Sequence, residues 1–331
     1  MNKNILLITV TLALSLSWVG CNKSGKLDKV STFKTPSGPV ELKLKWPVGE
    51  RVVQRLDMKQ NMEIFVPNQP NSIKQDMTMG QEYGLTVLKE NPEGGHEVEL
   101  EFLGMQMAFS QGGKSVMNYD SSKKSSPDNA NPMADAFQKI IGAKIKYFLD
   151  VSNNVERIEG VDALVSRLES GGSPDAVAPL KSMFNEGYFK QMIDSSRYMP
   201  HKPVQPGDTW PVQSEIAMGP LGILVMDYTF TFQKWEQLGK RNCARWEFRG
   251  TITSKPDDSS RLPGMTMDIQ DGTSSGVSWF DPELGKIIKT SLNQNITMAM
   301  TIPMNMNGKT ITQTMTNVMN QVITIKLDSV K

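Results

Sequence analysis

Along most of the chain apolar and polar residues alternate one for one, and only the middle changes period. From Ile296 onward, Ile296, Met298, Met300, Ile302, Met304 and Met306 take every second position, with Thr297, Ala299, Thr301 and Asn305 between them. Successive side chains of a strand point to opposite faces, so this pattern predicts a strand with one face buried. Val98, Leu100 and Phe102 repeat it, as do Met226, Tyr228, Phe230 and Phe232, then Trp246, Phe248 and Ile252. The last segment puts Ile311, Met315, Met319, Ile323, Ile325 and Leu327 on a common side. Asp281-Pro282-Glu283-Leu284-Gly285 and residues 150–154 each separate two such runs, and their Asp, Pro, Gly and Asn residues predict hairpin turns.

Between residues 131 and 203 the apolar spacing becomes helical. Asn131 reads as a helix cap with Pro132 at the first position, and Met133, Phe137, Ile140 and Ile141 form a stripe that Gly142 ends. Val161, Leu164, Val165 and Leu168 form a second stripe, stopped by Gly171-Gly172. A third runs from Met183 and Phe184 through Tyr188, Phe189, Met192 and Ile193, bounded by Pro179 and Pro200. Each stripe covers one side only, so the helices are expected to lie on a sheet or on each other.

Together the patterns predict a mainly β fold with a helical insertion, an α+β arrangement. The strands are expected in antiparallel curved sheets or a split half-barrel, with the helices on a concave face. The expected division is a signal peptide over 1–20, a flexible tether over 21–40, a first β-rich half over 41–130, a helical insertion over 131–203 containing a hairpin at 145–158, and a second β-rich half over 204–331. Trp46-Pro47-Val48-Gly49-Glu50-Arg51 opens the first half and Val204-Gln205-Pro206-Gly207-Asp208-Thr209-Trp210 the second. Each is a Pro/Gly turn with an acidic residue leading into strands, which raises an internal duplication.

The first residues change the picture from fold to address. Met1-Asn2-Lys3-Asn4 precedes an apolar run over 5–14, and Ser15, Ser17 and Gly20 keep that run short of the ~20 residues needed to span a bilayer. This is the shape of a secretion signal. Leu16-Ser17-Trp18-Val19-Gly20-Cys21 resembles the lipobox of bacterial lipoproteins, whose Cys becomes the diacylglycerol-modified N-terminus. The resemblance makes Cys21 the lipidation site; the competing cut is an ordinary one after Ser17. It implies an exported, lipid-anchored envelope protein, and Asn22 in place of Asp implies the outer membrane rather than the inner in a cell that has both. Residues 22–39, rich in Lys, Ser, Thr, Gly and Pro, read as the tether.

Charge then removes one class of partner. The chain has 36 Lys and Arg against 35 Asp and Glu, and loss of Lys3 with the signal leaves 35 against 35. A nucleic-acid binder needs a basic face to displace counterions, and here the two signs are interspersed, so no nucleic-acid partner is expected. With Cys21 lipidated, Cys243 has no partner within the chain and reads as a buried strand thiol. His96 and His201 read as solvated loop residues, and no G-x-S-x-G elbow, H-E-x-x-H helix or His/Cys zinc spacing occurs. Glu97, Glu99 and Glu101 share the face opposite Val98, Leu100 and Phe102, which makes them a solvated face. Gly112-Gly113-Lys114 reads as a hairpin turn. The expectation is a protein with no cofactor and no catalytic residues; an envelope enzyme whose site is assembled from distant residues is an alternative.

Methionine is the compositional oddity, with 22 residues that include Met77-x-Met79, Met105-x-Met107, Met265-x-Met267, Met298-x-Met300 and Met304-x-Met306. Soft thioethers suit Cu(I), so a copper-binding or chaperone protein is the other alternative. The near-absence of His and the dispersal of the pairs favour a plastic apolar filler of a core or a greasy groove. The candidate face for an apolar ligand or a soft metal is Met298, Met300, Met304 and Met306.

The chain after the tether resembles a family of uncharacterised bacterial envelope lipoproteins classed as a domain of unknown function. The features that carry the resemblance are Val48-Gly49-Glu50, the Met-x-Met strands, residues 137–142 followed by the Leu149-Asp150 hairpin, Met183-Phe184 with Phe189-Lys190-Gln191-Met192, residues 203–210, and the final Met-rich strands. It implies a fold and brings no activity. The expected function is a non-enzymatic envelope module, held at the membrane by an N-terminal lipid and binding an apolar small molecule or another envelope protein.

Overall fold

A computed structural model describes residues 27–123, 132–170, 184, 186–193, 196–218, 221–256, 265–306 and 309–331. The alternating segments become β1 (Arg51–Phe65), β2 (Ile73–Glu90), β3 (His96–Gln111), β4 (Lys114–Asp120), β5 (Lys144–Leu149) and β6 (Val155–Glu159), then β7 (Thr209–Ala217), β8 (Ile223–Leu238), β9 (Arg241–Lys255), β10 (Thr266–Asp281), β11 (Lys286–Met306) and β12 (Lys309–Val330). Between β4 and β7 along the chain lie α1 (Pro132–Gln138), α2 (Val161–Glu169), α3 (Glu186–Ile193) and a 3-10 turn (Ser196–Tyr198). Met183 and Asn131 lie outside the described residues, as does everything before Leu27.

The strands form one open antiparallel sheet in the order β6-β5-β3-β2-β1-β12-β11-β10-β9-β8-β7, with β4 on the far part of β3. Separate curved sheets, one of the two arrangements expected beside a split half-barrel, give way to this single open sheet. The reason is the pairing of β1 with β12, from Val52↔Val330 to Phe65↔Thr316, which welds the two β-rich halves into a single surface. Hairpins can be read from local turns; a bond between the first and last strands cannot. The sheet is not a closed barrel, since β6 and β7 are edges.

Read across the sheet from β7, the strands run 7 to 12 and then 1 to 6, so the two halves progress in the same direction. Their opening turns share a bonding pattern. Gly49 N–H donates to the carbonyl of Val87, and Val87 N–H returns a bond to that of Glu50; Gly207 N–H donates to the carbonyl of Phe232, and Phe232 N–H returns one to that of Asp208. Both glycines have positive φ, 81° and 100°, a region costly for other residues. With β4 set aside as a side branch, the Asp-led hairpins also correspond. Asp150 Oδ1 accepts from the N–H groups of Ser152 and Asn154 in the β5–β6 turn, and Asp281 Oδ1 from those of Glu283 and Leu284 in the β10–β11 turn.

Residues 27–46 run over the end of the sheet that carries these turns. Phe33 packs its ring 5.1 Å from that of Trp235, Val40 and Val204 exchange backbone hydrogen bonds, and Leu42 and Trp46 are buried. The second half of the segment read as a tether is thus in contact with the domain.

Candidate functional site

One face of the sheet is turned inward, and direct cross-strand partners define rows of side chains on it. One row runs Trp210, Phe230, Phe248, Gly276, Leu292, Ile323, Met58, Met79 and Met107, from β7 to β3. Its aromatic end is stacked, with Phe230 and Phe248 centroids 5.0 Å apart and Trp210 and Phe230 5.6 Å apart. A Cβ on Gly276 would lie 2.3 Å from Phe248 Cζ, so glycine is what lets that ring lie flat on the sheet.

The next row is polar. It runs Val212, Tyr228, Gly250, Ser274, Gln294, Gln321, Gln60 and Met77. Gln321 Nε2 donates to Gln60 Oε1 at 3.0 Å and approaches Met58 Sδ at 2.9 Å, and the Tyr228 hydroxyl donates to Ser274 Oγ at 3.2 Å. Burial holds the Tyr228 hydroxyl well above its ordinary pKa, against its hydrogen-bonding interactions with Ser274 and Gln294, which pull it down. Glutamine is a surface residue in most proteins, yet Gln54, Gln60, Gln75, Gln81, Gln294 and Gln321 are all 3% exposed or less. Several have hydrogen-bonding capacity unfilled: both amide atoms of Gln54, Nε2 of Gln81, and Oε1 of Gln75 and Gln321. Each such group costs ~1–3 kcal/mol when left unmade in a dry interior.

The sheet curls so that its two edges meet a common helix, since α3 lies against both β6 and β7. Tyr188 and Phe189 of α3 join Phe184 and Phe102 in an aromatic cluster, with Phe102 and Phe189 centroids 6.2 Å apart and edge to face. The 3-10 turn spans the same gap: Ser196 Oγ donates to Asn154 Oδ1 at 3.4 Å, and Arg197 Nη1 to Ser214 Oγ of β7 at 2.6 Å. Trp210 Nε1 donates to the carbonyl of Tyr198 at 3.1 Å. The interior thus has a seam, closed by side chains and one helix rather than by a strand ladder.

At the end of the sheet the buried polar groups are ionic and matched. Lys286 Nζ lies 2.9 Å from Glu50 Oε1, donates to the carbonyl of Lys45, and sits 5.0 Å from the Trp46 ring centroid. Beside it Arg241 pairs with Asp281 and, at 2.9 Å, with Glu283. Ser31 and Thr32 hydroxyls also donate to Glu283. Burial alone would raise the Glu283 carboxyl, but these hydrogen bonds and the Arg241 charge outweigh it and hold the pKa below its ordinary value. This clasp fastens residues 29–50 to the β8–β9 and β10–β11 turns.

Of the residues expected to form a site, Met298 is buried at 2% exposure opposite Asn317 and Ile269, and Met300 is half-buried opposite Met267 and Met315. Met304 and Met306 continue β11, with side chains outside the described residues, and Cys21 also lies outside them. Cys243 is fully buried, and burial pushes its thiol pKa up, away from nucleophilic chemistry. His96 departs from the solvated reading: it starts β3 opposite Leu149, half-buried, and burial and the Lys286 charge lower its pKa against an opposing pull from Glu90. Glu97, Glu99 and Glu101 face away from the core and pair with Lys89, Lys144 and Arg51 at 2.6, 2.7 and 2.6 Å, but Glu97 is buried at 8% exposure, which corrects the solvated reading for that residue. Among the described residues no group of three His, Cys, Asp or Glu could hold a metal, and no helix is long and apolar enough to cross a membrane.

Sequence reasoning overlooked the amides. Their signal was present, for Gln321 falls in phase between Met319 and Ile323, and Gln54 and Gln60 in phase with Leu56 and Met58. A separate cavity of about 320 Å³ opens on the outer face over Thr78, Gly80 and Ala108. Arg55 and Asp57 on its wall pair at 2.9 Å, and hydrogen bonds from Ser122 hold the Asp120 carboxyl below its ordinary pKa.

The geometry defines a mainly β protein built on one open antiparallel sheet. The chain belongs to a family of unknown function (DUF6263), whose model matches residues 93–287. No curated protein matches it in sequence. Among solved structures it resembles lipovitellin, in a study of its lipid–protein interactions, at 9% identity and a TM-score of 0.46 over 87% of this chain; the match spans only 26% of the lipovitellin chain. It also resembles a Bacteroides fragilis protein with a YmcC-like fold, at 10% identity and a TM-score of 0.27, over 88% of this chain and all of the other. Scores this low carry no argument about ligand or mechanism.

Proposed function

We propose that this chain is a non-enzymatic module of the cell envelope, anchored through a lipid on Cys21, that holds an apolar ligand against the inner face of its sheet. The observation that carries the reading is the combination on that face of deformable Met rows, unfilled amides and a seam without strand pairing. Methionine has three rotatable bonds and a polarizable sulfur, so Met58, Met79 and Met107 can yield to irregular guests without loss of contact. We read the two strand runs, with their matching Gly turns and Asp hairpins, as an internal duplication with a helical insertion between them, which gives a broad, curled inner face.

The test is native mass spectrometry with lipid extraction on protein purified from its own host. Co-purifying lipid supports the reading, and a protein partner in its place turns the module into a scaffold. Neither, together with turnover of a screened substrate, overturns it in favour of an enzyme. Mass spectrometry of the mature N-terminus checks the anchor: the expected result is lipid-modified Cys21, and an unmodified start at Trp18 sinks it. One observation favours a second reading. Met267, Met300 and Met315 are direct cross-strand partners, an arrangement of three thioethers suited to Cu(I). Titration with Cu(I) against a competing chelator is expected to show no tight site; tight binding lost on changing those three residues to Leu reverses the ranking.

A further inference from the structure

We propose that the inner amides select the ligand, which is a long-chain acyl ester or amide seated with its carbonyl linkage between Gln54 and Gln81. This rests on the apolar-ligand reading above. Gln54 lies opposite Tyr83 and Gln81 opposite Leu56, so the two are diagonal neighbours on the inner face of β1 and β2. Gln54 leaves a donor and an acceptor unfilled and Gln81 leaves a donor. A linkage carbonyl accepts from the two Nε2 groups, and an amide N–H or a neighbouring hydroxyl donates to Gln54 Oε1. A plain hydrocarbon fills none of these positions.

Charge narrows the class further. The buried ionic groups among the described residues are Glu50, Lys286, Arg241 and Asp281, paired within the clasp, and Glu97, which faces outward onto Lys89. None is left to balance a carboxylate or phosphate brought in beside Gln54, and an unbalanced buried ion is far costlier than a neutral linkage. The chain of such a ligand has a track to follow. Met79 lies two positions from Gln81 on β2, Met58 sits directly across from it on β1, four positions from Gln54, and the pair continues into Met107. With inner side chains this closely packed, entry requires the seam between β6 and β7 to part, and α3 is what holds it.

The full-length protein, stripped of lipid, would be offered mono-oleoylglycerol or its mono-oleyl ether analogue, which lacks only the carbonyl oxygen, and occupancy read by native mass spectrometry. The ester is expected to bind about tenfold more tightly than the ether, the scale of one unmet buried hydrogen bond. Gln54→Leu combined with Gln81→Leu is expected to abolish that preference while sparing the ether. Equal binding of the two probes to the wild type, or a preference that survives in the double variant, overturns the inference and leaves ordered water as what fills the amides. If neither probe binds, the apolar-ligand reading itself has failed. Should the double variant not fold, Gln81→Met alone gives the same ratio to judge by.

Discussion

At the end of the sheet Lys286 meets Glu50 at 2.9 Å, and Arg241 meets both Asp281 and Glu283; partway along the inner face, the Gln54 side-chain amide meets no hydrogen-bonding partner among the described residues. Both regions bury polar groups almost completely. The first is a finished network, in which breaking one member strands another, and such networks fix a conformation. The second is an unfinished one, and unmade hydrogen bonds persist in a fold only where something other than stability is served. The contrast separates the groups that hold this molecule together from those that the proposed function assigns to a ligand.

Mutation can break that contrast at either end. Lys286→Met leaves the Glu50 carboxylate buried without its cation, and the expected loss is ~3–5 kcal/mol in denaturant unfolding; an unchanged midpoint at constant slope would show that the clasp is ornamental. Gln54→Leu is expected to have the opposite sign. It replaces two unfilled groups by methyls, so stability should hold or rise by ~1–3 kcal/mol. A clear loss would mean that Gln54 has a partner within the fold.

The two regions should also differ in their response to acid. Glu283 has a lowered folded pKa, so its contribution is full above the unfolded carboxylate value and is lost as the pH falls through the folded one. His96 is lowered too and acts in the same direction: below its unfolded value the unfolded chain takes up a proton that the folded imidazole resists, so stability falls until the pH passes the folded value. Melting temperature against pH for wild type and Glu283→Gln should converge at low pH, whereas Gln54→Leu should shift the curve by a constant amount. The smallest effect is expected on the outer face. Arg55→Ala removes a pair whose side chains are 38% and 40% exposed, and such pairs are worth ~0–1 kcal/mol. A larger loss would give the outer cavity a role it lacks in this account.

The strand content and most of the buried face were legible in the sequence because period two is imposed residue by residue. Phe230, Trp246, Phe248 and Ile323 were assigned inward by alternation alone and are buried to 1% or less. The Asp-led hairpins were legible for a similar reason, since a turn is a local device. What stayed hidden was non-local. Nothing near β1 announces that its second neighbour is β12, and nothing in residues 27–46 announces that Phe33 will find Trp235. The amides were hidden differently: each Gln looked like an ordinary polar interruption, and only the register showed that Gln60, Gln321 and Gln294 line up across three strands.

The junction of β1 and β12 also governs the order in which the sheet can be completed. Arg51 and Lys331 exchange backbone hydrogen bonds at 3.1 and 2.9 Å, so the first of the described strands is bonded on one side by the twelfth. A chain emerging from the ribosome with its N-terminus leading can pair β1 with β2 at once, but the other edge of β1 stays bare until β12 arrives. Contacts of such large sequence separation form slowly, and a bare hydrophobic strand edge invites pairing with other molecules in the interval. Loss of β12 would leave β1 and β11 each with an open edge at the middle of the sheet, so this one strand decides whether the two halves share a surface at all.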